Sequence, residues 1–123
     1  MLGDFKVVAT IPVTDLDRAK AFYADKLGLK MTESNPFSAR FACGGGSELS
    51  VFKRAPSKAD HTLAHFEIVD IESTVAGLRE RGVTFLEYEA PKTVNFIAEI
   101  GPARGAWLQD PDGNILGLRQ AKK

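Results

Sequence analysis

The segment from Asp15-Leu16-Asp17 to Gly28-Leu29 returns 55 residues later as Asp70-Ile71-Glu72 to Gly82-Val83, and each copy joins one β-like run to another. A duplication of this length constrains the fold, because each copy predicts which residues of the other stand on equivalent strands and faces. In both copies an Asp occupies a helix N-cap position with an acid in the first turn. Leu16, Ala19, Tyr23 and Leu27 share one helical face in the first copy, and Gly28 sits where a left-handed stop belongs. In the second copy Ile71, Val75 and Leu78 form that face and Gly82 ends it.

Short β-like runs surround each helix. Phe5 to Val13, Leu29 to Glu33, Ala39 to Cys43 and Leu49 to Lys53 give a βαβββ module over residues 1–54. Residues 55–60, with Pro56, Ser57 and Lys58, read as a linker. Leu63 to Val69, Thr84 to Tyr88, Arg104 to Gln109 and Ile115 to Arg119 give a second module over 61–123, its last two strands joined by the tight turn Asp110-Pro111-Asp112-Gly113. Glu89 to Pro102 exceeds its counterpart by about a dozen residues, a length that makes it a candidate lid, with its closure over the cavity left open by the sequence.

At 123 residues the chain is long enough for one domain with a core that needs no staples. Sixteen basic residues balance sixteen acidic ones without a cationic cluster, which argues against a nucleic-acid partner. Cys43 is the single cysteine, so no intrachain disulfide is expected, in keeping with a reducing cytoplasm; its expected role is a buried small hydrophobe. The N-terminus lacks a long apolar leader region and no apolar run is long enough to span a bilayer, so a cytoplasmic protein without a membrane partner is expected. No Gly-x-Ser-x-Gly elbow occurs, and Gly44-Gly45-Gly46 lacks the Lys and helix of a phosphate loop.

The phrase Val13-Thr14-Asp15-Leu16-Asp17-Arg18-Ala19-Lys20-Ala21-Phe22-Tyr23, then Leu27-Gly28-Leu29, and the ending Asp110-Pro111-Asp112-Gly113-Asn114 resemble the vicinal oxygen chelate superfamily. That superfamily includes glyoxalase I, extradiol dioxygenases, and bleomycin- and fosfomycin-resistance proteins. The resemblance implies an α+β fold of two βαβββ modules forming a cupped, open barrel-like cavity, assembled as a homodimer.

In metal-using members of that group, a divalent ion is held by side chains on the first and last strands of each module. The first-strand position lies seven residues before the capping Asp, and the last-strand position four residues after the Gly that opens the strand. Here these fall on Val8, Leu63, Ser50 and Gly117, none of them a carboxylate or imidazole. Such an ion needs His nitrogen or carboxylate oxygen at about 2.0–2.3 Å. The neighbouring residues Val7, Ala9, Thr62, Ala64, Leu49, Val51, Leu116 and Leu118 are no better. The expectation is therefore no metal and no cofactor.

Alternation along a strand places His61, His65 and Glu67 on the face of Leu63, toward the cavity. A displaced metal at His65 would need new partners, since a two-residue step moves a Cβ by about 6.6 Å; Glu48 is the obvious one. The expected ligand-binding face combines Val8, Thr10, Ser50, Phe52, Leu63, His65, Glu67 and Arg119. Trp107 either stacks on a planar or cationic ligand or simply packs. Arg40 and Arg104 could pair an anion, although surface solvation explains both. These residues suit a metal-free protein that binds a small organic molecule for sequestration, resistance or sensing. The alternative is a lyase, isomerase or dioxygenase-like enzyme using a displaced metal or a His65/Glu67 acid–base pair. A dimer surface that serves as an interaction module is a third reading.

Overall fold

The computed structural model describes residues 1–122. Contacts divide the chain into two compact units, Met1–Ser57 and Lys58–Lys123. Each unit is a helix packed on one face of a mixed sheet, giving an α+β protein. Among the described residues no helix is long and apolar enough to cross a membrane.

In unit 1, β1 (Val8–Val13) runs into α1 (Leu16–Ala21), followed by β2 (Lys30–Ser34), β3 (Ser38–Ala42) and β4 (Glu48–Lys53). The sheet order is β1-β4-β3-β2, with β1 parallel to β4 and the other neighbours antiparallel. The first strand starts at Val8, later than the apolar run from Phe5 suggests, because Leu2–Asp4 winds into a 3₁₀ turn. Asp15 caps α1 by accepting the Arg18 N–H. The helix then widens into a π turn over Phe22–Lys26 and stops at Gly28, φ 75°. That widening turns Phe22 inward beside Tyr23, so both rings are buried, edge to face at 5.2 Å. They meet Ile11, Val13, Phe41, Leu49 and Val51 in the unit's core, each such aliphatic burial worth about 1.5–3 kcal/mol.

Unit 2 repeats the plan: β5 (Thr62–Glu67), α2 (Ile71–Glu80), β6 (Thr84–Phe85), β7 (Thr93–Val94), β8 (Ile97–Ile100), β9 (Ala103–Gln109) and β10 (Ile115–Ala121). The order is β5-β10-β9-β8-β7, with β6 also pairing β9. Asp70 caps α2 through the Ser73 N–H, and the Gln120 side chain accepts the Ile71 N–H at 2.7 Å, tying the helix start to the last strand. Leu78, expected on the buried face with Ile71 and Val75, is only half-buried.

Two expectations fail here for identifiable reasons. The stretch from Glu89 to Pro102 is not a free lid: β7 and β8 form a hairpin, and β8 extends the sheet by pairing with β9. Its turn residues Asn95 and Phe96 both have positive φ. The Phe96 conformation is held by its N–H on Glu87 Oε1 at 3.0 Å and by its ring against Phe85. Strict alternation along β5 also fails. Ile115 pairs with Thr62 but Leu116 with Ala64, leaving Leu63 as the extra residue of a β-bulge.

Candidate functional site

The row that matters crosses β5, β10 and β9: His65 pairs with Gly117, and Gly117 with Trp107. Gly117 is a strand residue with no side chain at the middle of this row. A Cβ there would lie 3.1 Å from His65 Cβ and 3.3 Å from Thr62 Cγ2. One position diagonally along β9, a Cβ on Gly105 would lie 3.3 Å from the Trp107 ring and from Ile100 Cδ1. Two missing side chains thus open the sheet face into a groove of about 400 Å³, within the range of small-molecule sites. Its walls are Thr62, His65, Trp107 and Arg119, with Ile100 and Pro102 beyond.

The polar side of the groove is one connected chain. His65 Nε2 lies 2.6 Å from Glu67 Oε2, and Arg119 donates to Glu67 Oε1 at 2.7 Å. The hydrogen bond from His65, and then that from Arg119, hold the Glu67 carboxyl below the ordinary carboxylate range. An ionised Glu67 can only accept, so Nε2 carries the hydrogen and a neutral His65 presents Nδ1 as an acceptor. The Trp107 ring, half-buried, is braced edge to face by Tyr88 at 5.2 Å. Trp107 thus packs on Tyr88 and also borders the groove.

Of the anticipated ligand-binding residues, His65, Trp107 and Arg119 line this groove and Glu67 connects two of them. Leu63 does not join them, since the bulge sets Thr62 in its place. Thr62, Gly105 and Ile100 went unanticipated; only the two strand glycines, Gly105 of β9 and Gly117 of β10, could have signalled the opening. Val8, Thr10, Ser50 and Phe52 belong to unit 1, where Thr10 pairs with Ser50 and Ser50 with Arg40. Ser50 and Phe52 are half-buried, while Thr10 is exposed. His61, exposed beside Asp60 at 3.5 Å, lies outside the groove walls.

The residues at the family's metal positions do not fit a metal. A valine, a leucine, a glycine and a serine offer no imidazole or carboxylate, and the atoms nearest a Cβ on Gly117 are the His65 Cβ and the Thr62 methyl. Glu48, the anticipated partner of a displaced site, is engaged by Lys6 at 3.0 Å and Arg40 at 3.3 Å. Those contacts, the Lys6 hydrogen bond foremost, lower its carboxyl pKa. Among the described residues, no three His, Cys, Asp or Glu side chains converge as a metal site. Arg40 is also 3.6 Å from Glu33, and Arg104 is clasped by Glu72 and Glu99. Cys43 is half-buried, and burial followed by the charge of Glu48 pushes its thiol up, away from nucleophilic use.

Comparison with known proteins places this geometry in a family. Among solved structures, the chain is similar to TnmS3, an antibiotic binding protein from Streptomyces sp. CB03234, with 26% identity, 96% of each chain covered and a TM-score of 0.73. It is also similar to a glyoxalase/bleomycin resistance protein from the same Streptomyces sp. CB03234, with 27% identity, 94% of this chain and 100% of the other covered, and a TM-score of 0.68. The fosfomycin resistance protein FosX from Listeria monocytogenes shares the fold at 15% identity, covering 96% of this chain and 93% of its own, with a TM-score of 0.74. No curated protein matches by sequence. The family model Glyoxalase/Bleomycin resistance protein/Dioxygenase superfamily matches residues 6–118, and the chain belongs to that superfamily.

Proposed function

We propose that this protein binds a small organic molecule in the glycine-floored groove of unit 2, and does so without the metal of its better-known relatives. The observation that carries this reading is the row His65–Gly117–Trp107, which sets an imidazole and an indole on either side of a gap in the sheet face. A planar ligand would lie against Trp107 and present a hydrogen-bond donor to His65 Nδ1 or an acceptor to Arg119. Sequestration, resistance or sensing would each use such a site. The similarity to an antibiotic binding protein and to a fosfomycin resistance protein supports the same class. A cytoplasmic homodimer is part of the reading, and sedimentation of the purified chain tests the assembly.

Trp107 is the only tryptophan, so intrinsic fluorescence reports on the groove directly. Titration with a panel of planar aromatic antibiotics should give a saturable change in emission for at least one compound. The same compound should raise thermal stability, by about 2.7 kcal/mol at a hundredfold excess over Kd. Absence of any saturable response, or tight stoichiometric uptake of a divalent ion, would overturn the proposal.

One observation favours a second reading. The Glu67–His65 contact at 2.6 Å is the arrangement that orients an imidazole as a general base, with Arg119 keeping the carboxylate ionised. Glu67 would then position His65 instead of sharing its proton. Any turnover identified on a bound ligand should fall by about 10²–10⁴ in His65→Ala; unchanged turnover would eliminate this role.

A further inference from the structure

The geometry points to a second ligand site, on the helix side of unit 2, that takes a small organic anion with a short apolar part. The site is a groove of about 660 Å³ between α2 and the β7–β8 hairpin, whose lining shares only Arg104 with the Trp107 groove. Its apolar lining is Val75, Ala76, Val94 and Ile97, and Val94 remains 64% exposed with no side chain laid over it. Arg79, Lys92 and Arg104 supply its cationic lining.

The charges around this groove are unevenly satisfied. Its carboxylates are already occupied: Glu72 accepts from Arg104 at 3.0 Å, and Glu99 is held by Arg104 at 2.9 Å and Lys122 at 2.8 Å. Neither Arg79 nor Lys92 has a carboxylate partner among the described residues. Arg79 is nonetheless fixed, its guanidinium 4.3 Å from the centroid of the Phe96 ring. Stacking uses the face of the guanidinium and leaves the N–H edge free to donate to an oxyanion, so the ordering cost is met before the ligand arrives. The positive-φ turn at Asn95-Phe96 makes that arrangement, since it carries the ring from the hairpin tip back to α2. A carboxylate or phosphate on Arg79 and Lys92, with its hydrocarbon along Val75, Ala76, Val94 and Ile97, complements both parts of the lining.

Hexyl phosphate is a suitable probe and hexanol its neutral counterpart. In amide chemical-shift titrations of the intact chain, hexyl phosphate should give saturable shifts at Ala76, Arg79, Val94 and Asn95, and hexanol should bind at least about tenfold more weakly. Arg79 and Lys92 are exposed, so R79Q/K92Q should fold normally and raise Kd about tenfold, whereas R79K, which keeps the charge but loses the stacked planar fork, should give an intermediate loss. Trp107→Ala should leave these shifts intact. Shifts confined to His65, Trp107 and Arg119, equal binding of hexanol, or undiminished binding by R79Q/K92Q would each overturn the proposal.

Discussion

Across the first, last and third strands of unit 1, one row reads Thr10–Ser50–Arg40; the same row of unit 2 reads His65–Gly117–Trp107. The row just beyond it faces the helix, and there the two copies agree in character: Ile11–Val51–Ala39 in unit 1 and Phe66–Leu118–Ala106 in unit 2. The inward row must fill a core at close packing and is held to apolar residues in both units. The outward row has no such constraint and has diverged. In unit 1, Arg40 reaches Glu48 and Glu33, and Lys6 reaches Glu48, so ion pairs cross the open face. In unit 2 the middle residue of the row is gone as a side chain, and a groove takes its place.

The turns before the last strands differ as sharply, and their removal should give the largest effects. Unit 1 turns through Gly44–Gly46, closed by Ser47 on the Gly44 carbonyl. Unit 2 turns on the buried Asp110, whose carboxylate accepts from the Asp112 N–H, the Asn114 N–H and the Asn114 amide at 2.8–2.9 Å. Asp110→Ala leaves those donors without their acceptor and should cost about 3–4 kcal/mol in chemical denaturation. Gly45→Ala strains a residue at φ 64° with open space around it, and should cost about 1 kcal/mol. Equal costs would mean that the two turns bear the same share of their hairpins, against this comparison.

Binding should separate the units next. With a ligand identified by Trp107 emission, Gly117→Val should abolish binding, since even its Cβ would crowd His65. Isothermal calorimetry should show Trp107→Ala weakening affinity at least about tenfold. Phe52→Ala, on the outward face of unit 1, should change affinity less than about twofold. A loss with Phe52→Ala as large as with Trp107→Ala would show that the ligand draws on the open face of unit 1 as well.

The same contrast explains how much could be read from the chain. Asp15, Asp70, Gly28 and Gly82 mark helix starts and stops by local chemistry, and the duplication aligns Thr10 with His65 and Ser50 with Gly117. His65 and Arg119 could therefore be placed on one strand face, whereas the face of Trp107 stayed open between packing and the cavity. The bulge at Leu63 was not legible, because no Gly or Pro marks it in His61-Thr62-Leu63-Ala64. The β7–β8 hairpin was hidden too: Asn-Phe is a poor signal for a turn that needs two positive φ values, and only Glu87, Phe85 and Arg79, distant in sequence, hold Phe96 there.

The smallest effect concerns the carboxylates on the two open faces, Glu48 and Glu67. Both have pKa values lowered below the ordinary 4.5, Glu48 first by the hydrogen bond from Lys6 and Glu67 first by that from His65. A carboxyl depressed in the folded chain contributes stability that is fully present above the unfolded value. That contribution is lost as pH falls from 4.5 through the lower folded value. Glu67 is exposed and Glu48 half-buried, and both lie on open sheet faces where solvent screens them, so the effect should appear as a difference in slope and not in neutral-pH stability. In denaturation curves taken on either side of pH 4.5, E67Q and E48Q should each lose less stability on acidification than the parent, and high salt should narrow the difference. E67Q should also weaken ligand binding at neutral pH by releasing His65 and Arg119 from their shared acceptor, and E48Q should not. If both variants changed the acid slope but neither changed binding, the Glu67 chain would be an ion pair like those of unit 1, and the groove would depend on Trp107 and the glycines alone.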